Sequence, residues 1–451
     1  MKDAVDLREI SLGVLMEITE EEGLSHVVLR RVLEKYQYLD KRDRAFITRV
    51  CEGTLEDMLL IDYIIESFSR VPVNNMKPLI RNLMRMSVYQ LRFMDSVPDS
   101  AVVNEAVKIA QRHGFYNLKG FVNGVLRNIA RNQDKIVWPD REEDPYRYLS
   151  VMYSMPQWIV ERWAAQFGLE TTETVLRQFH EPAPTTVRCI TEKASVSQVI
   201  AELEGQGITV KRHPYLDYAL EISGYNYLQA VSAFKKGWIQ VQDISSMMVA
   251  EVAAPNWRDV CIDVCAAPGG KALHLAEKLR GSGSVQARDI SETKVEMMRE
   301  AIEKSGLANI EAMVRDAVIY DESAVRTADI VLADVPCSGL GVIGRKQDVK
   351  YKMTPARQQE LIRLQRQILH TVQNYVKPGG TLIYSTCTIG ADENQMNVKW
   401  FLENYPFVLE SIDGYLCPEL RDRTTKGGFL QFLPGVHRSD GFFLARLRRR
   451  G

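Results

Sequence analysis

The sequence predicts a multidomain chain: an all-α bundle, a small α+β module, and an α/β core built on a parallel sheet. Three observations carry this. Residues 1 to about 135 hold no proline before Pro72, and Leu7, Ile10, Val14 and Ile18 recur at helical spacing. The stretch 139–147, "PDREEDPYR", is polar and carries two prolines, as a linker would. From about Gly237 onward, apolar runs of strand length alternate with helical stretches, the signature of a parallel sheet covered on both faces.

Within the first part, "AFITRVCEGTLEDMLLIDYIIESF" is amphipathic up to a break near Pro72, and "MKPLIRNLMRMSVYQLRFM" and "FVNGVLRNIARN" continue the helical pattern. After the linker, a helix should place Ile159, Trp163 and Phe167 on one face. The β-like runs "TTVRCI" and "YALEIS" then flank a helical "SVSQVIAELEG". Core strands are expected at "VCIDV", "SVQAR", "NIEAMV", "ADIVLADV" and "TLIYST". The boundaries that follow are 1–137 for the helical domain, 138–235 for linker and small module, and 236–451 for the core.

A chain of 451 residues that is 45% hydrophobic and 25% charged can bury several cores. No apolar run approaches the ~18 residues needed to span a bilayer, and the start "MKDAVDLREI" lacks a signal-peptide core, so a cytoplasmic protein without membrane attachment is expected. The seven cysteines are scattered, odd in number and without C-x2-C spacing, which predicts free thiols and no metal site. A net charge of −1 does not announce nucleic acid. Local clusters at Arg345, Lys346, Lys350 and Lys352, and in the closing "ARLRRRG", read as solvated basic faces or phosphate contacts.

The first core strand runs straight into "CAAPGGK", Cys265 to Lys271, and a helix follows. Strand, glycine turn and helix let backbone N–H groups approach a nucleotide-type ligand closely. The pattern is neither G-x-G-x-x-G nor the Walker loop, so dinucleotides and triphosphates fit less well. Asp289 follows the second strand, twenty residues beyond Gly269, the separation expected of a carboxylate on ribose hydroxyls. Asp316, after the third strand, is placed for an adenine edge, although alone it reads equally as a helix N-cap. The set favours an adenosine-bearing ligand without polyphosphate, and S-adenosylmethionine fits.

The fourth strand ends at Asp334-Val335-Pro336-Cys337 and the fifth at Ser385-Thr386-Cys387. A lone cysteine there would be core filler. Two thiols at adjacent strand mouths suggest chemistry. Carbon 5 of cytosine attacks a methyl donor only after a thiolate has added at carbon 6, and a carboxyl group near N3 stabilises the charge that develops.

The stretches "DVCAAPGGK", "DVPCSGLG", "YSTCTIGADENQ" and "DGFFLARL" resemble RNA cytosine-5 methyltransferases in order and spacing, and "DLREISLGVL", "NEAVKIA" and "FVNGVLRN" resemble the NusB-type RNA-binding helical domain. Over nearly the whole chain, the combination is similar to the bacterial Sun/Fmu-type family acting on 16S ribosomal RNA. The resemblance implies a Rossmann-like, S-adenosylmethionine-dependent core. It makes Cys387 the nucleophile, since in this RNA family the Thr-Cys thiol attacks, whereas in DNA cytosine methyltransferases the Pro-Cys thiol does. Cys337 then assists product release. Cys265, Ala266, Ala267, Pro268, Gly269, Gly270, Lys271, Asp289, Asp316 and Asp334 bind S-adenosylmethionine, and Asp334 also faces the cytosine. The target base must leave its stack, which implies a pocket between core and small module.

The implied partner is 16S ribosomal RNA, before subunit assembly, with a monomer that needs no protein partner. Two departures from the family pattern stand at Gln347, where proline is usual, and Ile190, where asparagine is common; they bear on the substrate loop and on RNA contact by the small module. Other readings are a cytosine-5 methyltransferase of transfer RNA or 23S ribosomal RNA, and a non-catalytic RNA-binding assembly factor. Intact Cys387, Cys337 and the glycine turn argue against the last.

Overall fold

Asp6 starts the first helix, Leu7–Glu20, by accepting the N–H groups of Arg8 and Glu9. Asp40 caps Lys41–Glu56 in the same way, and Pro78 opens Pro78–Phe93, where a missing N–H costs nothing. The helix Met58–Phe68 stops short of Pro72, as expected. Leu15, Ile18, Ile47, Val50, Ile61, Leu83, Ile109 and Leu126 form the centre of one buried cluster within these helices, Asp99–Arg112 and Lys119–Arg131. The computed structural model describes residues 5–451, so the first four residues of the expected 1–137 domain lie outside the described residues. Among the described residues no helix is long and apolar enough to cross a membrane.

The chain divides into two units, and the division differs from the expected one. The helical unit runs up to His180 and also takes Ile343–Lys352. The helices Gln157–Phe167 and Leu169–Phe179 fall on the helical side of this division. The distant segment is well anchored within this unit. Lys350 is buried and donates to the Glu56 carbonyl at 2.8 Å. Asp348 accepts from the hydroxyl and N–H of Ser25, and Lys352 donates to Gly23 O. Burial pulls Lys350 down to about 8 and pushes Glu56 up to about 7 and Asp57 up to about 6. Lys350 and Lys352 are thus structural, not the solvated or phosphate-binding face that their spacing suggested.

The second unit holds Glu181–Val342 and Met353–Gly451. Its small sheet contains β1 (Thr185–Cys189), β2 (Thr209–Arg212), β3 (Ala219–Ser223) and β4 (Ile239–Val241), in the order β2-β3-β1-β4 and antiparallel throughout. The helix Val196–Glu204, opened by a Ser195/Gln198 capping box, covers it over Val187, Leu203, Leu220 and Ile222. Because β4 joins this sheet, the small module continues past residue 235. Ile190 is buried, with its N–H on Trp238 O, so its side chain packs in the module core rather than facing RNA.

The large sheet is built from β5 (Val260–Asp263), β6 (Ser284–Asp289), β7 (Ile310–Val314), β8 (Ala328–Asp334), β9 (Val376–Thr386), β10 (Phe407–Leu409), β11 (Phe429–Phe432) and β12 (Phe442–Arg449). The order is β10-β12-β9-β8-β5-β6-β7, with β11 also on β12. Strands β5 to β9 are parallel, and the last three add antiparallel pairings, so the sheet is mixed rather than purely parallel. Alternate residues of β8 explain its continuous apolar run: Ile330 and Leu332 enter the core on one face, Val331 and Ala333 on the other. Arg446 on β12 is buried, bound to Glu410 and to the carbonyls of Val252 and Ala253. Arg448 and Arg449 also bond protein carbonyls. Hence the basic C-terminal run serves the sheet. Strand order reverses between β5 and β8, and ligands in such sheets sit at the carboxyl ends flanking that point.

Candidate active site

The turn after β5 places Cys265 to Lys271 at the switch point. Gly269 has φ +99, a conformation that excludes ordinary side chains, and an added Cβ would lie 3.3 Å from Met298. Ala266 N–H donates to Arg288 O at 2.7 Å and Ala267 N–H to Asp289 Oδ2 at 3.3 Å, so β6 fixes the turn. Asp289 Oδ1 also accepts from Ser291 N–H. Asp316 forms an Asx turn with Val318 N–H at 3.0 Å rather than the N-cap that its position alone permitted.

Asp263, at the end of β5, was not singled out from sequence. It is buried, with Oδ2 unpartnered, and burial followed by the neighbouring Asp334 pushes its carboxyl up to about 8. A polar residue closing an apolar strand was the available signal. Asp263 accepts from Cys265 N–H, Asp289 from Ala267 N–H and Asp334 from Lys271, so three acids bond the turn directly; burial raises the Cys265 thiol, and the charges of these three and Asp316 raise it further. Such a cradle suits S-adenosylmethionine, whose ammonium, sulfonium and ribose hydroxyls present positive charge and hydrogen-bond donors. The orphaned Asp263 oxygen is the observation that most favours the fit.

Across the switch point, Asp334 accepts from Lys271 Nζ at 2.6 Å and from Ser385 Oγ at 2.7 Å. Burial opposes charge on Lys271, but Asp334 outweighs it, with Asp263 and Cys387 adding to the effect, and the ammonium is held above its ordinary range. Cys337 and Cys387 meet with their sulfurs 3.0 Å apart, and Cys387 N–H donates to Cys337 Sγ at 3.2 Å. Both are free thiols and half-buried.

Beneath them lies a network that the sequence reading did not isolate. Glu393 is fully buried. Its carboxylate accepts from Ser338 N–H (2.8 Å), Ser338 Oγ (2.6 Å), Gln365 Nε2 (2.9 Å) and Gln358 Nε2 (3.0 Å). Asn394 accepts from Thr386 Oγ1 at 2.5 Å and donates to Thr388 O at 3.0 Å, bracketing Cys387. A cavity of about 930 Å³ does open between small module and core, lined by Arg188, Tyr218, His274 and Glu277 among others. Neither cysteine lines it, so it is not the pocket expected for an extruded base. His274 there is a packing residue, buried edge-on against Tyr218.

Three family models cover most of the chain: the NusB family over residues 6–131, the RsmF/B-like ferredoxin-like domain over 155–227, and the 16S rRNA methyltransferase RsmB/F model over 250–448. They define the class as a Rossmann-like, S-adenosylmethionine-dependent methyltransferase core joined to a NusB-like helical domain and a ferredoxin-like module. The probable ribosomal RNA small subunit methyltransferase B of Bacillus subtilis is 34% identical over 99% of both chains. Its counterpart in Synechocystis is 31% identical over 99% of this chain and 100% of its own. The crystal structure of PH0851 superposes with a TM-score of 0.82 at 26% identity, covering 100% of both chains. The chain belongs to the 16S rRNA methyltransferase RsmB/F family.

Proposed function

We propose that the protein methylates carbon 5 of one cytosine in 16S ribosomal RNA through a covalent adduct with Cys387. The observation that carries this is the pair of thiols 3.0 Å apart, beside an ion-paired lysine and aspartate at the carboxyl ends of β8 and β9. The relatives' names supply the ribosomal substrate.

Bound S-adenosylmethionine supplies an electrophilic methyl group; Cys265 to Lys271, Asp263, Asp289, Asp316 and Asp334 hold it. The remaining work falls to this chain. Cys387 thiolate adds to carbon 6 of the cytosine, forming the S–C bond and making carbon 5 nucleophilic. The Lys271 ammonium, held in place by Asp334, stabilises the negative charge that develops on the ring, and the pair needs no reorientation. After the methyl is on carbon 5, a water takes that carbon's proton, its electron pair re-forms the C5–C6 double bond, and the S–C6 bond breaks. Cys337, in contact with Cys387, gives its proton to the departing thiolate. In this reading residues 1–137 bind RNA, the linker and small module run from 138 through β4, and the remainder to residue 451 carries catalysis.

The test is transfer of labelled methyl to small-subunit ribosomal RNA lacking its natural methyl groups, with the product mapped. One 5-methylcytosine is expected. Label in transfer RNA or 23S RNA instead would keep the chemistry and move the substrate.

A further inference from the structure

Both cysteine-bearing loops hang from one dipeptide. The four bonds on the Glu393 carboxylate are those of an acceptor-only group with each oxygen doubly occupied. Two come from Ser338, next to Cys337. A third comes from Gln365, whose amide also donates to the carbonyl of Pro336, on the other side of Cys337, at 3.0 Å. Ser338 Oγ lies 2.9 Å from Thr388 Oγ1 as well, joining the two loops. Asn394 holds Thr386 and Thr388 on either side of Cys387, and Gln431 accepts from its amide at 2.9 Å. The Glu393 carbonyl is itself pinned by the Tyr384 hydroxyl and by Asn397 Nδ2.

We propose that Glu393 and Asn394 are the positioning residues of the reaction: they set the contact between the two thiols, and the Glu393 carboxylate, standing on the Cys337 side, assigns the attack to Cys387. This rests on Cys387 being the nucleophile. The electrostatics are asymmetric in the required sense. Cys337 faces the Cys387 sulfur, Glu393, the Tyr384 phenol and, with opposite effect, the N–H groups of Gly339 and Cys387. Its thiol is pushed well up, first by the hydrogen bond with Cys387, then by burial, then by the charges of Cys387 and Glu393. Cys387 faces the Lys271 ammonium, which favours its thiolate. When the pair gives up one proton, the negative charge therefore settles on Cys387. Cys337 keeps the proton that product release later needs.

The test is alkylation of the full-length protein by iodoacetamide between pH 6 and 9, without RNA, with each cysteine followed by peptide mass spectrometry. In the wild type Cys387 reacts before Cys337; equal or inverted order overturns the proposal. Glu393→Gln keeps the shape and removes the charge, so the Cys337-to-Cys387 rate ratio should rise about tenfold, the equivalent of one pKa unit. An unchanged ratio with Cys261, buried on β5 of the same core, still protected overturns it. If Glu393→Gln exposes Cys261, the wild-type order alone decides. Because the ratio is read without substrate, its failure leaves the nucleophile reading standing. Turnover by Cys387→Ser would remove that reading and leave the ratio intact.

Discussion

Replacing Lys271 with methionine keeps the length of the side chain and removes the cation that joins the cofactor turn to the cysteines. The lysine gives Asp334 a charge-assisted hydrogen bond at 2.6 Å, with both side chains largely shielded at 17% and 23% exposure. Such a bond contributes roughly 1.5–3 kcal/mol, and its loss leaves the Ser385 hydroxyl donating to Asp334. With about 2–4 °C lost per kcal/mol in a unit of this size, melting should fall by roughly 3–12 °C. The catalytic effect is larger. Removing a preorganised charge from the developing anion costs about 10²–10³ in turnover. Cys387 also loses its neighbouring cation, so the acid limb of the pH–rate profile should move to higher pH. Labelled-methyl transfer from pH 6 to 9, with calorimetry of S-adenosylmethionine binding alongside, reads all of these. Turnover within twofold of wild type and an unmoved profile would refute the role of Lys271.

Cys337→Ala should form the adduct but release it slowly, so a protein–RNA species accumulates on denaturing gels; a clean gel with full turnover counts against the proton transfer assigned to Cys337. Gly269→Ala forces a side chain into φ +99 and against Met298, costing about 1–3 kcal/mol, and should weaken S-adenosylmethionine binding at least tenfold by calorimetry. Lys350→Met tests the anchored segment. With Glu56 near 7 and Asp57 near 6, both carboxyls are charged at pH 8 and protonated at pH 5. Their raised values mean that stability present in acid is lost as pH rises through 6–7, and Lys350 offsets that loss. The variant should be less stable by roughly 1–3 kcal/mol at pH 7, where Lys350, near 8, is still charged and Asp57 is ionised, and by much less at pH 5; an equal deficit at both would refute the assignment.

What the sequence made legible follows from burial. Strands β5 and β8 and the end of β9 are apolar runs shielded on both faces, so pattern alone located them, and the helical periodicity of Leu7, Val14 and Ile18 gave the bundle. Strand β2 escaped notice because it is a largely exposed edge of four residues, "TVKR", with no apolar alternation. The antiparallel β10, β11 and β12 depend on pairings with β9 and with each other that no local signal announces. Lys350 looked like surface charge; only the long-range contact with Glu56 makes it core. At the site, the cysteines, the glycine turn and the acids stood out by residue type and position. Asp263 and Glu393 did not, because their importance lies in burial and in partners far along the chain.

The central claim is that Cys387 becomes covalently attached to its target base. RNA carrying 5-fluorocytidine tests it most directly, since fluorine at carbon 5 cannot leave as a proton does and the adduct is trapped. Incubation with S-adenosylmethionine, digestion and mass spectrometry identify the modified peptide. The account predicts a fluoro-methylated nucleotide on the peptide containing Cys387 and none on that containing Cys337. Attachment at Cys337, or methylation with no protein-bound nucleotide, would contradict it.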